Sequence, residues 1–367
     1  MEEARVRYAV VGLGHIAQVA VLPAFQNAAE SSALAALVSS DRTKLDELGK
    51  QYGVDHTGTY DELEKLLEDA RIDAAYIAVP NSQHREFTER CARAGVHVLC
   101  EKPMALNEED CEAMIRATDE AGVKLMIAYR LHFEEANLCA IDLVESGRIG
   151  DPRIFSSIFS QQVREGNIRT RGELGGGALF DMGIYCVNAA RYLYREEPLE
   201  VCGFTAVRTD ERFQRVDEMT SALLRFPGER FAQLTSSLGA ADVSTYRIVG
   251  TRGELRVEPA YDYQLDLKHY LTVEGNREVR TFPKHDQFGP ELAYFSRCIL
   301  EDMEPEPSGE EGLCDVRVLC AIVESARTGK SVKLPKRDRA QRPNLRQQIT
   351  MPAIRLPETV HATPPSQ

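Results

Sequence analysis

The stretch "VRYAVVGLGHIAQVAVLPAF", residues 6–25, decides how the rest of the chain is read. Its first six residues are an apolar run of strand character, and helix-like spacing follows the glycines. Between them stands Gly12-Leu13-Gly14-His15-Ile16-Ala17. A strand, a glycine turn and a helix in this order form the dinucleotide fingerprint. Gly12 permits the tight turn, Gly14 lets backbone approach a pyrophosphate, and Ala17 keeps the close helix–strand packing of the usual third glycine. The amides at the helix start, those of His15 and Ile16 among them, then face the phosphates together with the helix dipole.

Beyond this stretch, strand-like and helix-like segments alternate. "ALAALV" (33–38), "IDAAYIAVP" (72–80), "VHVLCEKP" (96–103) and "VKLMIAY" (123–129) read as strands, with polar amphipathic helices between them. That alternation predicts a Rossmann-type, doubly wound parallel sheet over residues 1–128, in an α/β protein. Near residue 150 the rhythm changes. Strand-like runs separated by turn signals fill 199–283, and helical runs at 287–302 and 310–329 close the globule. A second, α+β domain with a large, open, mostly antiparallel sheet is expected over 129–335. Residues 336–367, rich in Pro, Arg and Gln, read as an extended tail, either an arm on a partner subunit or a disordered terminus.

Bulk properties exclude several classes. The chain has 367 residues and a net charge of −13, which argues against a nucleic-acid partner. Its nine cysteines are scattered without a C-x-x-C pair, and Cys314 and Cys320 are not at a standard metal spacing. No metal is therefore expected, and the thiols suit a reducing compartment. No apolar run is long enough to span a membrane, and "MEEARVRYAVVGLG" lacks the apolar core of a leader, so the expectation is a cytoplasmic protein.

The strand ends carry the candidate chemistry, because ligands of such sheets bind outside the carboxyl ends of the strands. After the second strand come Ser39 and Ser40, with Arg42 and Lys44 just beyond. These hydroxyls and cations suit the 2′-phosphate of NADP. Asp41 leaves NAD open, since it can take a ribose hydroxyl or cap the next helix. Pro80 and Asn81 end the fourth strand, with His84 three residues on. The fifth ends in Glu101-Lys102-Pro103, where the Lys102–Pro103 bond is a candidate cis peptide.

In "GGGALFDMGIYCVN", Asp181 and Tyr185 are four apart and share a helix face, with Asn188 roughly in line. A helix-capping Asp181 and a core Tyr185 is the bland alternative. A lysine, a carboxylate and a phenol suit alcohol oxidation, which needs a hydroxyl proton removed as hydride leaves carbon. Tyr185 would be the acid/base, Lys102 the cation beside it, and Asp181 the holder of a sugar hydroxyl. The arginines of "QQVREGNIRTRGELGGG" (161–177) read as solvated surface residues, with an acidic or phosphorylated sugar as the alternative partner.

Taken together, "VVGLGHIA", "PNSQH", "EKPMAL", "GGGALFDMGIYCVNAARYL" and "PEPSGEEGLCDVRVLCAI" resemble the glucose–fructose oxidoreductase, inositol dehydrogenase and rhizopine-catabolism (Gfo/Idh/MocA) family, over about residues 6–335. Many members have histidine where this chain has Tyr185; the glucose–fructose oxidoreductase branch has tyrosine. "AYRLHFE" (128–134) and "HDQFGPEL" (285–292) are also similar to that branch. The resemblance implies a Rossmann domain, an open sheet that mediates homodimer or homotetramer formation, NADP and a sugar or polyol substrate. It also implies Lys102, Asp181 and Tyr185 as the catalytic group, Ser39 and Lys44 at the 2′-phosphate, and Arg130 near the nicotinamide or substrate. The reaction implied is oxidation of a pyranose at C1 to a lactone, or the reverse carbonyl reduction, with exchangeable NADP(H). Rival expectations are a non-catalytic dinucleotide-binding regulator, and a diol dehydrogenase or redox-assisted glycosidase on the same scaffold.

Overall fold

The computed structural model describes residues 4–206, 210–337 and 342–366. The chain divides into two units. The first comprises Met1–Arg130, His285–Leu313 and Thr350–Pro364; the second comprises Leu131–Lys284, Cys314–Ile349 and Pro365–Gln367.

In the first unit six strands form one sheet: β1 (Val6–Val11), β2 (Ser32–Val38), β3 (His56–Gly58), β4 (Ala74–Ile77), β5 (His97–Glu101) and β6 (Leu125–Ala128). Their order is β3-β2-β1-β4-β5-β6, and every pairing is parallel. The order reverses between β1 and β4, the position at which such sheets open a crevice for a ligand. Near-continuous apolar runs make these strands, because both faces are covered; β4 and β6 are buried at every residue. The helices start and stop where local chemistry says. Asp41 caps the helix Arg42–Tyr52, accepting from the Lys44 N–H at 3.3 Å, and Gly53 ends it at φ 65°. Asn107 caps Glu108–Ala121, accepting from the Asp110 N–H at 2.8 Å.

The helix Gly289–Leu300, expected at the close of the second domain, packs in this first unit. A buried hydroxyl chain explains it. Tyr8 of β1 donates to Leu292 O at 3.3 Å and lies 3.0 Å from Ser296 Oγ, which is 2.7 Å from Ser32 Oγ of β2. Part of the tail returns here as well. Residues 338–341 of that tail lie outside the described residues, whereas Thr350–Pro364 is folded onto the first unit.

The second unit holds a nine-stranded sheet: β7 (Pro152–Ser160), β8 (Glu200–Ala206), β9 (Met219–Phe226), β10 (Arg230–Ser237), β11 (Val243–Gly250), β12 (Gly253–Val257), β13 (Leu267–Val273), β14 (Asn276–Phe282) and β15 (Val332–Lys333). The order is β14-β13-β12-β11-β7-β10-β9-β8-β15, and only the β7–β10 pairing is parallel. Alternation along β9 and β10 buries one face, on which the helix Ile184–Tyr194 packs. The other face leaves Ile154, Ile158, Leu223 and Phe231 open, and Phe204 is 72% exposed. Arg191 of that helix is fully buried, bound to Glu197 at 2.7 and 2.8 Å and to Asp315 at 2.5 Å. Asn188 donates to Asp315 and to the Tyr192 hydroxyl at 2.6 and 2.7 Å, so it is a brace within this core rather than an extension of the Asp181–Tyr185 face. No described helix is long and apolar enough to cross a membrane.

Candidate active site

The glycine turn is built for close approach. Gly12 has φ 97°, and a Cβ there would lie 2.6 Å from Ala78 O, so only glycine lets β1 and β4 part at this point. Its N–H donates to Val38 O at 2.9 Å. A Cβ at Gly14 would meet nothing within 4 Å. Its missing side chain therefore serves no packing inside the protein, and it leaves bare backbone at the helix start, as a pyrophosphate requires. Ala17 is fully buried, and the helix opens with a widened turn, Ala17–Val21, before Leu22–Ala24. These residues fit a dinucleotide.

Because the strands are parallel, the residues after β1, β2, β4, β5 and β6 all leave the sheet at one edge. At the end of β2, Ser39 is buried and accepts the Asp41 N–H at 3.2 Å, while Ser40 is exposed. Arg42 reaches Glu62 at 3.5 Å across exposed surface, and Lys44 is half-buried in the first turn of the helix. After β4, Pro80 caps the short turn Asn81–Gln83. His84 is fully buried, its ring lying between Pro103 O at 2.8 Å and Val79 O at 3.1 Å. It braces the loop after β4 against the one after β5, and burial holds its pKa down.

The Glu101-Lys102-Pro103 loop stands on a buried polar layer. Tyr76 of β4 donates to Glu101 Oε1 at 2.9 Å, and Glu101 Oε2 accepts the Lys102 N–H at 3.2 Å. The Lys102–Pro103 peptide is cis. Burial raises the Glu101 pKa against the pull of the Lys102 ammonium. Arg130, also buried, bonds Gln287. Glu291 is fully buried, its carboxyl oxygens have no hydrogen-bond partner among the described residues, and burial together with Glu101 raises it well above the usual range despite Arg130. Tyr76, Gln287 and Glu291 were not singled out as site residues from the sequence. "HDQFGPEL" carries only a likeness to one branch, and nothing in it signals that its Glu291 comes close to Tyr76 and Glu101.

In the second unit Asp181 lies in a widened turn, Leu179–Gly183, that leads into Ile184–Tyr194. It does not cap that helix. Asp217 serves the start of the turn, accepting from the Leu179 N–H at 3.1 Å and the Thr220 hydroxyl at 2.8 Å. Asp181 instead accepts from Arg169 Nε at 2.5 Å. Arg169, read from the sequence as solvated, is thus a correction. Burial works against its charge, but Asp181, with Tyr263 and Tyr185, keeps its pKa raised. The glycines of "GELGGGALFD" make this possible. The Gly177 N–H donates to Arg169 O at 2.9 Å, and a Cβ at Gly176 would lie 2.3 Å from the same oxygen. Tyr185 meets Phe159 edge-on, with centroids 5.5 Å apart, and packs at 5.7 Å against Tyr261. Asp181 and Tyr185 therefore share the neighbourhood of Arg169, although the widened turn departs from regular α spacing.

Two family models match the chain, the "Oxidoreductase family, NAD-binding Rossmann fold" over residues 6–129 and the "GFO/IDH/MocA C-terminal domain" over residues 138–256. A D-xylose 1-dehydrogenase [NADP(+)] from Haloarcula marismortui is 36% identical over 336 residues, covering 90% of this chain and 93% of that one. The crystal structure of an aldose-aldose oxidoreductase from Caulobacter crescentus, complexed with glycerol, superposes with a TM-score of 0.85 at 40% identity, covering 90% of this chain and all of that one. A 3-ketoreductase from Actinomadura kijaniata, in complex with NADP and TDP-benzene, gives a TM-score of 0.80 at 26% identity, covering 88% and 98%.

Proposed function

The chain belongs to the Gfo/Idh/MocA oxidoreductase family, and on that footing we propose that it oxidises an aldopyranose at C1 to the lactone, with NADP as cofactor, or reduces a sugar carbonyl in reverse. The observation that carries the reading is Lys102, a cation at the carboxyl end of β5 in a sheet whose β1 turn fits a dinucleotide. The kinship with an NADP-dependent xylose dehydrogenase and an aldose-aldose oxidoreductase supports the sugar.

Bound NADP supplies the hydride acceptor. Tyr185 is the base that takes the proton of the C1 hydroxyl as hydride leaves C1. Lys102 donates a hydrogen bond to the sugar oxygen and steadies the charge that develops there. Asp181, held by Arg169, accepts from a ring hydroxyl and fixes the orientation of the sugar. Arg130 lies in the buried layer with Glu101 and Glu291 and orders the strand ends. Reduction of NADP+ followed at 340 nm across a panel of pentoses and hexoses tests the reading. Turnover with at least one aldose supports it, and binding of NADPH without any turnover favours a regulator.

The open face of the nine-stranded sheet, with Ile154, Ile158, Leu223 and Phe231 open on β7, β9 and β10 and Phe204 72% exposed on β8, supports a homodimer or a homotetramer built on that face. A change of Phe204→Glu would then lower the mass seen in light scattering. The nine cysteines, six of them buried, suit the cytoplasm.

A further inference from the structure

The tail segment Thr350–Pro364 is fastened to the first unit at three successive places. Near its start, Asn27 Nδ2 donates to Pro352 O at 2.8 Å, and the Asp286 N–H donates to Met351 O at 3.2 Å. Further on, Gln18 acts as a latch. Its Nε2 donates to Leu13 O of the glycine turn and to Val360 O, both at 2.9 Å, and its Oε1 accepts the Val360 N–H at 2.7 Å. Gln18 is 1% exposed, so this amide is spent wholly on joining the tail to the turn. Finally, residues 359–362 fold back on themselves, the Thr359 hydroxyl donating to Ala362 O at 2.7 Å. His361 there takes φ 46°, a left-handed conformation uncommon outside glycine, and its Nδ1 lies 2.9 Å from Asp41 Oδ2.

Asp41 is the one carboxylate in the stretch that follows β2, "SSDRTK" (39–44). A free carboxylate there accepts the ribose 2′-hydroxyl of NAD and repels the 2′-phosphate of NADP. In this chain both of its oxygens are engaged. Oδ1 accepts the Lys44 N–H and Oδ2 faces His361. Contact with His361 also favours the ionised carboxylate, so the pair is an attractive one.

We infer that His361 is a specificity-determining residue: by holding Asp41 it withdraws that carboxylate from the ribose position and lets the β2 end take the 2′-phosphate of NADP. Gln18 latches the strap that carries His361 from the glycine turn to β2. The inference rests on the NADP reading and adds to it a residue that lies more than 300 positions from the fingerprint.

The test is fluorescence titration of the full chain with NADPH and with NADH, alongside the thermal midpoint of each variant. Wild type binds NADPH more tightly. His361→Ala loses roughly tenfold in NADPH affinity, the scale of one charge-assisted contact, while NADH binding holds or improves. Adding Asp41→Asn to His361→Ala restores the preference for NADPH, which a merely structural strap would not explain. An unchanged NADPH-to-NADH ratio in His361→Ala, an equal loss for both nucleotides, or no rescue by Asp41→Asn overturns the inference while leaving the NADP reading intact. A wild type that binds no NADPH overturns both.

Discussion

Arg169 Nε donates to the Asp181 carboxylate at 2.5 Å, and both side chains are largely withdrawn from water, at 28% and 17% exposure. The pair ties the loop before the glycines to the turn that precedes Tyr185. A carboxylate so held is fixed in orientation.

Arg169→Leu is therefore expected to lower kcat/KM for the preferred aldose by about ten- to a hundredfold, the value of a lost charge-assisted hydrogen bond. NADPH affinity should stay within twofold, as the nucleotide cradle belongs to the first unit. Steady-state kinetics and fluorescence titration of the same preparation check this. Equal loss in both would show a general disturbance of the fold instead.

Lys102→Met should abolish turnover and leave NADPH bound nearly as before. Tyr185→Phe should reduce kcat by ~10²-fold or more, the usual contribution of a positioned acid/base. A variant with wild-type rate removes that residue from the mechanism.

The two glycines of the turn should fail in different ways. Gly12→Ala meets Ala78 O and a left-handed φ, so it should cost about 2–4 kcal/mol of stability, visible as a lowered thermal midpoint. Gly14→Ala meets no protein atom and should melt like wild type, yet bind NADPH at least tenfold more weakly because its methyl fills the phosphate's place. Unimpaired NADPH binding by Gly14→Ala would place the pyrophosphate elsewhere.

Stability should fall with acid in two stages, both from the second unit. Burial pushes His269 down to about 4. Its unfolded form gains a proton near pH 6.5 that the folded form refuses, so stability declines as pH drops from there towards 4. Glu197 is buried, yet Arg191 and Arg342 hold it down at about 2. That stabilisation is complete above about pH 4.5 and is lost as pH falls towards 2. Each group contributes on the order of 3 kcal/mol. Urea midpoints at pH 7, 5 and 3.5 check the first stage, and His269→Gln should flatten the decline between 7 and 4.

The parallel sheet was legible because its signals are local: a glycine turn after an apolar run, and alternating periods thereafter. The strand ends followed from topology alone, which is why Lys102, Pro80 and Ser39 could be named. What escaped depends on partners distant in sequence. Asp217, 36 residues after Asp181, caps the turn that Asp181 was weighed for, so the capping alternative failed for a reason no local pattern holds. Arg169 sits in a polar run that reads as solvated, and the meaning of Gly176 and Gly177 emerges only when their backbone is seen against Arg169 O. Likewise Tyr8 gave no hint that its hydroxyl would fix the helix Gly289–Leu300 on β1 and β2. The tail has no periodicity to read, and its place is set by single contacts such as Gln18 with Val360.

The central claim is that hydride passes between C1 of an aldose and NADP, and isotope transfer tests it most directly. Incubation with NADP+ and [1-²H]-labelled D-xylose or D-glucose, followed by mass spectrometry of the reduced cofactor, should give NADPH carrying the deuterium, one mass unit heavy. Reduced cofactor of ordinary mass, or no reduction with any C1-labelled aldose, would contradict it.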